Sequence, residues 1–269
     1  MMQKKSAWNK PPYILYGVCA LVFLFIMIPV LIVIIISFSG TSYLKFPPSS
    51  FSFRWYQEFF SNKKWMDAAL NSLKIGFGTT LVSVTLGLLA ALGLTKKNLT
   101  RTKWLNVLLL TPLMVPTIIV AVALYFVFAR WHLLGTFTGM IIAHSCLAIP
   151  FVTTLISSSL YGIDSRLYDA ARSLGANHFN AIRLVVLPLI KPAILSSMLF
   201  AFITSFDEVI VASFITKQET TTLPKLMFDY LKFEINPVIS AVSTLLIVLT
   251  TSILLFNALS QKSTMEHKF

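Results

Sequence analysis

From Tyr13 to Ile36 the chain carries no charged side chain, and long apolar stretches of the same kind recur into its C-terminal third. No other feature narrows the possible folds as far. At 1.5 Å of helical rise per residue, about 20 residues cross a hydrocarbon layer about 30 Å thick. Inside that layer every backbone N–H and C=O must find its partner within the protein, so only helices and closed barrels can cross it. The stretches here are continuously apolar rather than alternating, which selects helices. Charged residues make up 12% of the 269 and hydrophobic residues 56%, too little charge for a soluble domain of this size. The sequence therefore predicts an all-α integral membrane protein with six transmembrane helices.

The spans are expected at about 13–36, 70–94, 105–129, 135–160, 189–214 and 237–259. They form one six-span unit over 13–260, between an N-terminal tail at 1–12 and a C-terminal tail at 261–269. The first run is longer than the core of a cleaved signal peptide and lacks a small-residue cleavage site, so it reads as a retained span. Pro112 and Pro116 near the start of the third span, and Pro150 in the fourth, suggest bends that neighbouring helices must cover. Cys19 and Cys146 fall inside apolar runs and read as small buried hydrophobes rather than a disulfide or metal pair.

Lysine and arginine set the orientation. With the N-terminus inside, the inner segments hold Lys4, Lys5, Lys10, Lys96, Lys97, Arg101, Lys103, Arg166, Arg172, Arg183, Lys191, Lys262 and Lys268, thirteen in all. The outer segments hold Lys45, Arg54, Lys63, Lys64, Arg130, Lys217, Lys225 and Lys232, eight in all. Excess positive charge stays on the cytoplasmic side, so both termini are expected in the cytoplasm. The net charge of +12 then reads as anchoring against anionic lipid of the bilayer, with no nucleic-acid partner.

Two outer segments are long. Residues 37–69 carry the aromatic cluster SFRWYQEFF at 52–60, which fits either an interfacial belt or a docking surface for an external partner. Residues 215–236 carry Glu219, Asp229 and Glu234, with LPKLMFDYLKF as a short amphipathic candidate for the interface.

The one long inner loop is 161–188. Asp164 or Ser165 suits a helix start, and Leu167, Ala170, Ala171 and Leu174 recur at helical spacing. Gly175 interrupts. Phe179, Ile182, Val185 and Val186 resume the pattern, and Pro188 marks the stop before the fifth span. A helix, a turn and a second helix on the membrane face make either a passive surface loop or a lever that grips another protein.

Asp207 and Glu208 are the only carboxylates inside any expected span. Charge in hydrocarbon costs several kcal/mol, so such groups face a cavity or a partner. Neighbours on a helix point about 100° apart, so one can line a path while the other pairs or caps. Alternatively, both brace a broken helix or a subunit interface. Lys74, near the start of the second span, either pairs or snorkels outward. His132, His144, His178 and His267 have no metal-ligand spacing, and His144 reads as a satisfied polar residue in the fourth span. There is no nucleophile–base set for covalent catalysis and no G-x-x-x-x-G-K-[ST] for ATP. The chain reads as non-catalytic, and if ATP drives it, the nucleotide must be bound by a partner.

Residues 169–188, DAARSLGANHFNAIRLVVLP, resemble the EAA loop of ABC-type importer permeases. Asp169 stands where that pattern has glutamate. Ala170, Ala171, Gly175, Val185, Leu187 and Pro188 match. Within that family the chain resembles the spermidine/putrescine permeases through FPPSSFSFRWYQEFF at 46–60, NSLKIG at 71–76 and the segment 205–247. Where that group has Phe-Asp-Asp-Phe, this chain has Phe206, Asp207, Glu208 and Val209. Iron(III), sulfate and phosphonate permeases share parts of the pattern.

The resemblance implies a MetI-like six-span fold in a bacterial inner membrane and import of polyamines. It implies four kinds of contact: a homologous second permease, two ATP-binding cassette ATPase subunits, an extracytoplasmic substrate-binding protein, and lipid. Asp169, Ala170, Ala171 and Gly175 would be the residues coupled to the ATPase, with Pro188 ending the loop. Asp207 and Glu208 would be candidates for the translocation path. An autonomous secondary transporter is the rival of a different class. It predicts internal repeats and transport without an ATPase.

Overall fold

The computed structural model describes residues 13–43, 45–95, 100–233 and 236–266, all but short connections helical, with one isolated antiparallel bridge between Ser39 and Phe51. The tail 1–12, the basic pair Lys96 and Lys97, Glu234 and residues 267–269 lie outside the described residues. So do the side chains of Arg101, Lys103 and Lys262. The chain divides into two compact units, 1–62 with 230–269, and 63–229.

In the first unit, α1 (Tyr13–Ser37) and α2 (Arg54–Ser61) both pack on α13 (Val238–Glu266). The connection from α1 to α2 folds back on itself. Gly40 N–H donates to Ser50 O, Ser52 N–H donates to Phe38 O, and buried Trp55 donates from Nε1 to Ser39 O at 2.6 Å. Phe38, Phe53 and Tyr56 stack as a triad with centroids 5.3–6.0 Å apart, and Tyr56 Oη meets Ser37 Oγ at 2.7 Å. The aromatic cluster is thus partly a structural knot. Phe46, Phe51, Phe53 and Phe60 remain exposed. Cys19, expected to be buried, is exposed instead, because little of the chain covers that part of α1.

The second unit is built on three helices in mutual contact: α3 (Lys63–Leu94), α6 (Phe137–Tyr161) and α10 (Lys191–Phe206). The buried stripe of α3 reads Ala68, Ser72, Gly76, Thr79, Thr80, Ser83, Gly87 and Ala91. Small residues three and four apart let helix backbones approach closely, and that is how helices associate where lipid removes the hydrophobic drive. A Cβ on Gly76 would meet the Phe202 ring at 2.8 Å, and one on Gly87 would meet Val152 Cγ1 at 2.5 Å. Apolar packing gathers at two levels. One centres on Ile75, Phe128, Met140, Leu147 and Val211, the other on Ala148, Val152, Ile156, Ile190 and Ala201.

Among the described residues three helices are long and apolar enough to cross a membrane: α1, α3 and α6. Two bent pairs bring the number to as many as five. The third expected span is such a pair. It is α4 (Thr100–Met114) and α5 (Thr117–Arg130), meeting at 110° across Val115 and Pro116, where proline supplies no N–H to continue the ladder. The fifth is broken as well. The last turns of the inner segment meet α10 at 74°, and the helix stops again after Phe206, restarting as α11 (Ile210–Ile215). α13 is continuous over the expected sixth span, and its apolar part within the described side chains is Val238–Ser252.

One end of this unit is closed by backbone and amide contacts. Gly135 N–H donates to Ile215 O at 2.9 Å. Asn71 Nδ2 donates to the carbonyls of Glu219 (3.0 Å) and Thr221 (3.1 Å), and Ser72 Oγ accepts from Leu223 N–H at 2.7 Å. These bonds hold the turn 216–222 and the start of α12 (Leu223–Phe233) against α3. α6 has 25 residues and is about 37 Å long, so the 162–190 segment lies at the opposite end.

Candidate functional site

Two places answer to the sequence expectations: the 164–190 segment and the break after α10. In the first, Asp164 caps α7 (Ser165–Ser173) by accepting from Arg166 N–H at 2.9 Å. Leu174 ends the helix, and Gly175 follows with φ +92°, in the left-handed region that glycine enters without strain. Nothing lies within 4 Å of a Cβ built on Gly175. Within this chain glycine is therefore required by backbone shape and not by crowding. Asn177 caps α8 (His178–Ala181) by accepting from Asn180 N–H at 2.7 Å. A π-helical turn, Ile182–Val186, leads into α9 (Leu187–Leu189).

The stop expected at Pro188 falls at Ile190. Pro188 occupies the first turn of α9, where its missing N–H costs nothing. The bend comes two residues later, where fully buried Ile190 is the pivot.

No residue of α7 is buried. Asp169, Ala170 and Gly175 are exposed, Ala171 is half-buried, and Leu167, Leu174, Phe179 and Leu184 expose large apolar side chains beside them. The helix pair is held in shape from within: Tyr168 Oη meets His178 Nδ1 at 2.5 Å, and Arg172 Nη1 donates to Ala176 O at 2.9 Å. Sequence spacing does not disclose these four residues as bracing. Tyr168 and His178 are ten apart and belong to different helices.

At the second place α10 ends on Asp207, whose N–H still donates to Ile203 O at 2.9 Å. The two carboxylates then part. Glu208 is half-buried and its Oε1 accepts from Val211 N–H at 2.9 Å, capping the start of α11. Asp207 is exposed, and among the described residues its carboxylate has neither an ion-pair nor a hydrogen-bond partner. α10 has 16 residues, about 24 Å of rise, so the break lies well within a bilayer-thick layer measured from the loop end. Lys74, whose role the sequence leaves open, is exposed with Nζ 5.7 Å from the centroid of Phe137, a cation–π arrangement.

An exposed, jointed helix pair at one end, and an unpaired carboxylate in a broken apolar helix, fit a membrane transport subunit. The chain belongs to the family described as binding-protein-dependent transport system inner membrane component, which matches residues 83–265. It is 31% identical to the spermidine/putrescine transport system permease protein PotC of Haemophilus influenzae, over 88% of this chain and 92% of that one. It is 32% identical to the putrescine transport system permease protein PotI of Escherichia coli, over 84% of this chain and 82% of that one. Among solved structures it shares its fold with a bacterial ABC transporter involved in import of the acidic polysaccharide alginate. That similarity has a TM-score of 0.70 at 16% identity, covering 96% of this chain and 99% of that one.

Proposed function

We propose that this chain is one permease half of an ATP-driven importer of polyamines. It crosses the bacterial inner membrane six times with both termini in the cytoplasm. A homologous permease completes the path, and an external binding protein delivers the solute. Two ATPase subunits bind ATP and Mg, one beneath each permease. The fold similarity and the family support the assembly. The two polyamine permeases that the chain resembles support the solute class.

The observation that carries the solute class within this chain is unpaired Asp207. Carboxylates are costly inside a membrane, and one that faces away from its own core must face a path or a partner. A cationic solute suits it and an anionic one does not. Glu208 is the brace that holds the break open. Asp169, Ala170, Ala171 and Gly175 form the surface on which the ATPase seats, and Ile190 is the joint through which movement of α7 reaches α10. ATP binding draws the paired loops together and opens the path outward, and hydrolysis resets it.

The test is uptake of labelled spermidine and putrescine in a strain without its own polyamine importers, supplied with this chain and its genomically neighbouring subunits. Gly175→Arg is the control. ATP-dependent uptake abolished by the control is the expected result. An assembled complex with a working ATPase but no uptake overturns the polyamine reading.

A further inference from the structure

His144 is wholly buried, and its Nδ1 lies 2.9 Å from Ser205 Oγ. Ser205, also buried, donates from Oγ to Thr79 Oγ1 at 3.3 Å, and Thr79 is buried too. A serine hydroxyl has one proton. With Ser205 donating to Thr79, the contact with His144 is completed by the tautomer that carries its proton on Nδ1. The three side chains come from α6, α10 and α3, the three helices of the central packing. His144 Nε2 has no partner among the described residues. An imidazole left half-satisfied in an apolar interior is costly, so simple adhesion is a poor account of it.

Ser205 lies in the last turn of α10, two residues before Asp207. Two residues on a helix point about 200° apart. Fixing Ser205 inward on His144 therefore fixes Asp207 outward. A rotation of α10 by one residue step, about 100°, would take Ser205 off His144 and carry the carboxylate round toward the packed interior. Phe202 and Phe206 stack at 5.7 Å, and Phe202 meets Phe77 at 5.2 Å, but aromatic faces tolerate sliding. A hydrogen-bonded chain does not.

We infer that His144, through Ser205 and Thr79, is a positioning residue: a buried polar clamp that sets the rotation of the end of α10 and so keeps Asp207 turned out of the helix core. This rests on Asp207 facing the path, as proposed above, but the clamp itself can be read without any solute.

The experiment uses the assembled transporter in membranes, with Cys19→Ser and Cys146→Ala and a single cysteine placed by Asp207→Cys or by Phe206→Cys. Reaction with a polar methanethiosulfonate reagent is expected to favour position 207 over 206. His144→Ala or Ser205→Ala should reduce that preference between about threefold and twentyfold, the range set by one interhelical side-chain hydrogen bond in a membrane. His144→Asn should restore it, because an asparagine amide donates from nearly the place of Nδ1. If His144→Ala does not accumulate, Ser205→Ala, which removes a single oxygen, carries the test. An unchanged preference in Ser205→Ala overturns the clamp, as does an altered preference that asparagine at 144 leaves unrestored. In chains that keep Asp207 and the native cysteines, the same substitution at 144 should raise KM for uptake while Vmax per assembled complex stays within about twofold. Polyamine uptake with an unmoved cysteine preference would sink the clamp alone. A moved preference without polyamine uptake would sink only the solute assignment.

Discussion

Exchanging the two adjacent carboxylates for their amides should damage transport unequally. Glu208 acts through one oxygen that accepts from Val211 N–H at 2.9 Å. Glutamine keeps such an oxygen, so Glu208→Gln should leave stability within about 0.5 kcal/mol and transport within a few-fold. Glu208→Ala loses the cap and should cost about 1 kcal/mol, the usual value of an N-cap contact. Asp207 makes no side-chain bond among the described residues and is exposed, so Asp207→Asn should not lower stability. On the proposed reading its effect falls on the solute. A carboxylate and an ammonium at 4 Å attract by about 4 kcal/mol at an effective dielectric of 20, and water in the path takes back part of that. A remaining loss of about 1.4–2.8 kcal/mol corresponds to a ten- to hundredfold rise in KM for a cationic solute. Thermal unfolding of the complex in detergent measures the first quantity, and concentration-dependent uptake in vesicles measures the second. Equal damage to uptake by Glu208→Gln and Asp207→Asn, with both complexes stable, would refute the division of roles.

Three other substitutions test the frame around the site. Asn71→Ala leaves the carbonyls of Glu219 and Thr221 without their amide donor and should cost about 2 kcal/mol, read as faster proteolysis of the 216–222 turn. Gly76→Leu drives a side chain into the Phe202 ring, which a Cβ alone would meet at 2.8 Å, and should destabilise by about 1–3 kcal/mol in detergent unfolding. Gly175→Ala keeps the exposed surface almost unchanged but opposes φ +92° at about 1–2 kcal/mol, so basal transport should fall less than with Gly175→Arg.

The apolar runs made the helical class and the main helices legible, because length and continuity alone decide whether a segment crosses lipid. They did not disclose the interruptions. Hydropathy counts Pro116 as one residue among many; the proline itself marked a bend, and there the expected third span turns by 110°. Likewise hydropathy reads 189–214 as one span, although the chain stops at Asp207 and restarts at Ile210. The inner helix pair was legible because Asp164 and Gly175 act locally and do what their types predict, whereas the Asn177 cap comes from the structure. The partners of Asn71, His144 and Tyr168 were not. Asn71 bonds to backbone 148 and 150 residues away, and His144 to a serine 61 residues away. Only the fold brings such pairs together.

A chain that packs in lipid cannot use the hydrophobic effect to hold one helix to another, since the alternative contact is equally apolar. The second unit meets this with small residues for close approach and with hydroxyl and amide groups for adhesion: Asn71 and Ser72 are buried and bonded. Adhesive polar groups and working ones are then told apart by direction. A polar side chain turned inward and paired holds the helices together, and its loss should appear as instability. One turned outward without a partner among the described residues is, on the proposed reading, free for the solute, and its loss should appear in transport at unchanged stability. Asp207 meets the second description, while its neighbour Glu208 meets the first. That is why two carboxylates adjacent in sequence should answer the same substitution in different assays.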